Sequence, residues 1–253
     1  MRSLILFLLL ISNFAFSAEF FTKTAELASF QLSLPRYQNP DFSYDIFYYI
    51  PASLEKTQNA PALIFMHGGG DSTLTREGAI KTVQRYAPDL ISLAEELKFI
   101  LVLPSSNGLN WGGHTRGFIR DLAKLVRKDL KVDPNNFGLA GHSMGGMGIT
   151  RSAQWLTEQF SFFLPLAAGM DPLGATEENL VSNFNTVYEH QQGLKDDFQI
   201  FIERCQNQEK VMKELEDKYH LTSGLIIKYY DGPHNYDRPL VKDSVRKQHR
   251  LRA

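Results

Sequence analysis

The chain has 253 residues, 43% of them hydrophobic, with 27 basic against 28 acidic side chains and a formal net charge of −1. That length suits a single α/β domain with a full core. Near-neutral charge argues against a general nucleic-acid surface, which needs a strong excess of Lys and Arg.

The first residues read as an export signal. Arg2 supplies a charged start, Leu4 to Ile11 form an apolar run, and Ala15-Phe16-Ser17 resembles a cleavage site with small residues at the two required places. The apolar run is too short to cross a bilayer comfortably, so cleavage after Ser17 is preferred, with Ala18 second and an uncleaved anchor as the competing reading. The expected mature unit is residues 18–253, secreted or periplasmic. Its only cysteine, Cys205, has no internal disulfide partner and sits in a polar helical run, which suggests an incidental residue.

Beyond the leader, strands and helices alternate. Tyr44 to Ile50 alternates polar and apolar residues, as in a half-exposed strand. Pro61 to Met66 is a compact apolar run suited to a buried strand, and it ends in His67-Gly68-Gly69-Gly70-Asp71. Helical signals fill Thr75 to Leu97, interrupted near Pro88, and Phe99 to Leu103 gives another buried strand. Thr115 to Lys131 reads as a helix, and Asp133 to Asn136 as a turn before the strand Asn136 to Ala140. Later strands are predicted at Phe162–Ala168, Asn185–His190 and Leu225–Tyr230, with a helix from Phe198 to Tyr219 and another at the C-terminus. The basic residues there, Lys242, Arg246, Lys247, Arg250 and Arg252, read as its solvated face, with contact to an anionic surface as the alternative. The alternation implies a mostly parallel twisted sheet covered on both faces by helices.

Gly141-His142-Ser143-Met144-Gly145-Gly146 lies between a strand and a helix. A serine between glycines at such a turn is a nucleophile elbow: the turn is too tight for bulky neighbours, and it lifts the hydroxyl above the sheet. Serine needs a base within hydrogen-bond reach and a third group to orient that base. His234, in Asp231-Gly-Pro-His-Asn-Tyr236, follows the last predicted strand and suits the base. Asp196, in Gly193-Leu-Lys-Asp-Asp197, follows the preceding strand and is favoured as the acid over its neighbour Asp197. Asp171 is a third candidate that fits a turn cap better, and Asp231 shares one short loop with His234.

The order Ser143, Asp196, His234 resembles that of α/β-hydrolases, in the esterase branch that includes polyhydroxybutyrate-depolymerase-like, feruloyl-esterase-like and prolyl-oligopeptidase-related enzymes. The resemblance covers nearly the whole chain from Tyr44 and includes the His-Gly-Gly-Gly loop, Val132-Asp-Pro134, the elbow, the acid loop Gly193 to Asp196 and the late Gly-Pro-His. It implies an oxyanion hole formed by the N–H groups of Met144 and Gly69, with Gly68 and Gly70 shaping the turn. It further implies cleavage of carboxylic esters through an acyl-enzyme on Ser143, with no cofactor or metal. Peptidase or thioesterase chemistry on the same fold, or a non-catalytic binding role, is the alternative.

His67 is expected to brace the glycine loop, and His142 to point away from the serine hydroxyl. Trp111 and His114 are candidates to line the substrate cleft with Asn110, and plain loop surface is the alternative for His114. His190, His220 and His249 read as structural or exposed, and no histidine spacing resembles a metal site. Between the strand after the elbow helix and the next strand only Pro172 to Phe184 is available for a cap, which predicts an open cleft suited to small or polymer-borne esters, with Ser72 to Leu97 as a source of partial cover.

Overall fold

The computed structural model describes residues 20–33, 43–54, 59–70, 73–111, 115–170, 176–181 and 186–250. The leader at 1–17, His114 and Asp171 lie outside these residues. Eight strands form one sheet: β1 (Ala28–Ser33), β2 (Ser43–Tyr49), β3 (Ala60–Met66), β4 (Ile100–Pro104), β5 (Val132–His142), β6 (Phe162–Leu166), β7 (Val187–Gly193) and β8 (Leu225–Tyr230). Their spatial order is β1-β2-β4-β3-β5-β6-β7-β8. The β1–β2 and β2–β4 pairs are antiparallel, and every later pairing is parallel.

Strands β3, β4 and β6 are apolar throughout because helices cover both faces of the sheet. In β3, Ala62, Ile64 and Met66 pack to one side, with Phe118, Leu122 and Val126 of α2 (Thr115–Leu130) and Ile149 of α3 (Met144–Ser152). Leu63 and Phe65 point the other way, toward Val83, Leu90 and Leu93 of α1 (Arg76–Leu97) and Val241 and Val245 of α6 (Arg238–Arg250). A short α4 (Glu177–Val181) and the long α5 (Gln199–Tyr219) complete the helices.

Several expectations change. β1 is an added edge strand, and it turns β2 from half-exposed to buried. Asp45, the acidic residue within β2, is buried too, held by Arg76 through Nε–Oδ2 and Nη2–Oδ1 contacts of 2.7 Å each. The guanidinium keeps the Asp45 carboxyl below its ordinary range. Helix α1 runs unbroken through Pro88. Proline removes the hydrogen bond to the carbonyl four residues earlier and crowds that carbonyl, but both Pro88 and Gln84 lie on the exposed side, where water can satisfy it.

The segment 133–136, expected as a turn, belongs to the start of β5. Strand β7 ends at Gly193 rather than His190. The terminal basic residues are more than a solvated face, since Lys242 and Arg246 both pair with Glu96 and fasten α6 to α1. Strand β7 also buries Glu189, which is tied to Lys228 of β8 at 2.8 Å and to the Ser244 hydroxyl of α6.

Candidate active site

Loops following the C-terminal ends of β3, β5, β7 and β8 converge at one edge of the sheet, where open α/β sheets place their ligand crevices. Ser143 sits between β5 and α3 with φ 52° and ψ −114°, a backbone strained for a residue with a side chain. Its N–H is fixed to the Leu166 carbonyl at 2.8 Å. The turn closes only because Gly145 lacks a side chain: a Cβ there would lie 2.1 Å from the Met66 carbonyl oxygen. The sequence GHSMG therefore specifies the backbone that presents the hydroxyl.

Three side chains from separate loops form a hydrogen-bonded series. Ser143 Oγ lies 2.8 Å from His234 Nε2, and His234 Nδ1 lies 2.8 Å from Asp196 Oδ2. The Asp196 carboxylate is wholly buried, while Asp197 is exposed. Asp196 Oδ1 accepts the Phe198 N–H at 2.8 Å, and Oδ2 also accepts from Gln192 Nε2 at 2.7 Å. Asp231, on the His234 loop, is occupied by Lys195 at 2.7 Å. Phe198 and Phe201 flank the His234 ring, with centroids 4.7 and 5.5 Å away.

The glycine loop lies against this series. A Cβ on Gly69 would fall 2.5 Å from Met144 Sδ, so Gly69 and Met144 are close neighbours, and a side chain at 69 would displace the methionine. The Met144 N–H opens α3, where the first N–H groups have no intrahelical acceptor. His67 braces the loop from within. Its Nε2 accepts the Ser106 N–H at 3.0 Å, which puts the ring proton on Nδ1, 2.6 Å from the Gly68 carbonyl. Burial pushes the His67 imidazole down to about 4 and keeps it neutral.

Trp111 does not line a cleft. It is 3% exposed, its indole N–H donates to the His67 carbonyl at 2.9 Å, and its ring meets His67 edge-on. A buried indole needs an acceptor, and here that acceptor is the main chain of the glycine loop, so Trp111 supports the loop from beneath. His142 is buried, with Nδ1 2.6 Å from the Tyr86 hydroxyl and its ring centroid 5.3 Å from that of His234. Burial, and secondarily the neighbouring His234, pushes the His142 imidazole down to about 3. Burial also removes His190 and Cys205 from the surface: His190 Nε2 lies 3.4 Å from Cys205 Sγ, and the thiol is pushed up to about 12.

Tyr86, Gln192 and Phe198 escaped the sequence reading. The signal for Gln192 was present, because two glutamines at the end of an internal strand cannot be solvated and must have partners. Ending that strand at His190 concealed it.

The sheet order, the strand-to-helix elbow and the placement of these loops define the α/β-hydrolase fold. No family model matches the chain. Its structure is similar to that of a ferulic acid esterase, with a TM-score of 0.65 and 16% identity over 89% of this chain and 97% of the other. It is also similar to a poly(3-hydroxybutyrate) depolymerase from Bordetella parapertussis, with a TM-score of 0.64 and 15% identity over 87% and 88% of the two chains. In sequence, 152 residues are 24% identical to dipeptidyl-peptidase 5 of Porphyromonas endodontalis, covering 53% of this chain and 21% of that protein. The chain thus spans about a fifth of the length of that curated relative. Among the described residues, no helix is long and apolar enough to cross a membrane.

Proposed function

We propose that this chain is a serine hydrolase of carboxylic esters, small or polymer-borne, with Ser143 as nucleophile, His234 as base and Asp196 as acid. The observation that carries the reading is the pair of 2.8 Å contacts joining Ser143 Oγ to His234 Nε2 and His234 Nδ1 to Asp196 Oδ2. Serine must lose its proton as it attacks, and the imidazole stands where it can take it. Asp196 holds the His234 tautomer that leaves Nε2 free to accept, and its charge stabilises the imidazolium that forms.

The ester carbonyl becomes an oxyanion as Oγ adds. The N–H groups of Met144 and Gly69 are assigned to that oxygen, and loss of one such donor typically costs roughly 3 kcal/mol of transition-state stabilisation. Collapse expels the alcohol, which takes the proton from His234. Water then adds to the acyl-enzyme, giving its proton to the same imidazole, and the acid leaves as Ser143 Oγ is reprotonated. Within this reading the leader at residues 1–17 directs export and residues 18–253 form one catalytic domain.

Peptide cleavage is the second reading, favoured by the likeness to a dipeptidyl-peptidase. Labelling by a fluorophosphonate is expected in the wild type and lost in Ser143→Ala, and folded wild-type protein that takes up no label overturns the proposal. Among p-nitrophenyl acetate, a thioester and a peptide anilide, the acetate should be cleaved fastest; fastest turnover of the anilide would select the peptidase. Asp196→Asn should lower kcat on the acetate by about 10⁴-fold, whereas Asp197→Asn should stay near wild type.

A further inference from the structure

A cleft of about 540 Å³ opens beside His234, with Arg85, Tyr86 and Asp89 of α1 on one wall and Tyr236 and Arg238 on the other. Its charges do not cancel. Asp89 is fully engaged: Arg238 Nε stands 2.9 Å from Oδ1, and the Tyr236 hydroxyl donates to Oδ2 at 2.6 Å. Arg238 also donates to the Ser92 hydroxyl at 2.8 Å. Arg85 is exposed at the cleft wall and, among the described residues, makes neither a hydrogen bond nor an ion pair. One unspent guanidinium therefore remains in a pocket that shares a wall with the proposed base.

Arg85 and His234 line the same cleft. The next residue, Tyr86, carries the hydroxyl that contacts His142, and a Cβ on Gly68 would lie 2.9 Å from that same hydroxyl. The positive charge of Arg85 reaches the buried His67 and His142 rings and opposes their protonation. Position in the catalytic cycle then selects which part of a substrate lies here. The imidazole must protonate the departing oxygen, so a pocket walled by His234 receives the alcohol half of the ester.

We propose that Arg85 makes the enzyme selective for esters whose leaving alcohol carries a carboxylate, which pairs with the guanidinium in the His234 cleft. The inference rests on the serine hydrolase reading and names a substrate class for it. A guanidinium presents paired N–H donors that match the two oxygens of a carboxylate.

The test compares 3-acetoxybenzoate with its methyl ester, two substrates with the same acetyl group and a similar phenolic leaving group that differ in one negative charge. Wild-type kcat/KM should favour the anion by about tenfold. Arg85→Gln should reduce that ratio toward one, and Arg85→Glu should reverse it, with both variants folded because the side chain is exposed. Added salt should shrink the wild-type preference. Inhibition by the product 3-hydroxybenzoate gives an independent reading and should weaken at least fivefold in Arg85→Gln.

A wild type that labels with fluorophosphonate but shows no anion preference, or a preference that survives Arg85→Gln, overturns the Arg85 assignment and leaves the hydrolase reading standing. So does a preference that appears only with the carboxylate on the acyl half, as in phenyl succinate against phenyl acetate. Folded protein that neither labels nor cleaves the methyl ester overturns both.

Discussion

Gln192 donates from Nε2 to Asp196 Oδ2 at 2.7 Å, on the oxygen that also faces His234 Nδ1 at 2.8 Å. With the Phe198 N–H on the other oxygen, the carboxylate cannot rotate without losing a donor. Gln192 is thus a positioning residue that acts on the imidazole through Asp196. Gln192→Met keeps the volume and removes the donor. It should lower kcat on p-nitrophenyl acetate by about tenfold with little change in KM. A fall confined to KM would show that Gln192 acts on substrate binding instead.

The elbow depends on the glycine two residues after the nucleophile. Gly145→Ala would drive a methyl group to 2.1 Å from the Met66 carbonyl oxygen, and main chain cannot swing aside as a side chain would. The expected loss of stability is about 3 kcal/mol, seen as a lower urea midpoint, together with loss of ester cleavage. A variant that unfolds at the wild-type midpoint would mean that the β3 backbone yields freely.

Glu189 is 2% exposed within β7, where Lys228, Ser244 and Gln191 all contact its Oε1. Lys228→Met should destabilise the protein by about 3 kcal/mol, because it strands a buried carboxylate. Adding Glu189→Gln should recover much of that loss. If the single and double variants have the same urea midpoint, the cost is not the stranded charge.

Acid should weaken the fold before the carboxylates titrate. Burial holds His67 and His190 down to about 4, whereas imidazoles of the unfolded chain titrate near 6.5. Between those values the unfolded chain binds protons that the folded chain refuses, so stability falls as pH drops from about 6.5 toward about 4. At about pH 5 each imidazole should cost about 2 kcal/mol. Urea midpoints at several pH values measure this, and His190→Gln should flatten the slope by one imidazole's share. A midpoint constant from pH 7 to pH 5 would contradict the buried-neutral assignment.

Most of what positions the candidate site can be read from the residues. The apolar runs of β3 and β4, the glycines around Ser143 and the histidine after β8 each follow from a local steric or burial requirement. What escaped depends on partners distant in sequence. The edge strand Ala28–Ser33 has a mixed composition and gains its meaning only from pairing with β2. The unbroken course of α1 depends on which side of the helix Pro88 and Gln84 face. Trp111 looks like a cleft residue until His67 supplies its acceptor. Polar residues of β7 read as the end of a strand, although their partners lie on α5, α6 and β8.

The lone thiol of Cys205 has a practical consequence. Sealed against His190 with its ionisation suppressed, it is shielded from reagents that modify cysteine while the fold is closed. Only molecules that have opened the α5–β7 interface would react. The rate of modification by a disulfide-exchange dye therefore reports how often this half of the sheet breathes, with no engineered label required.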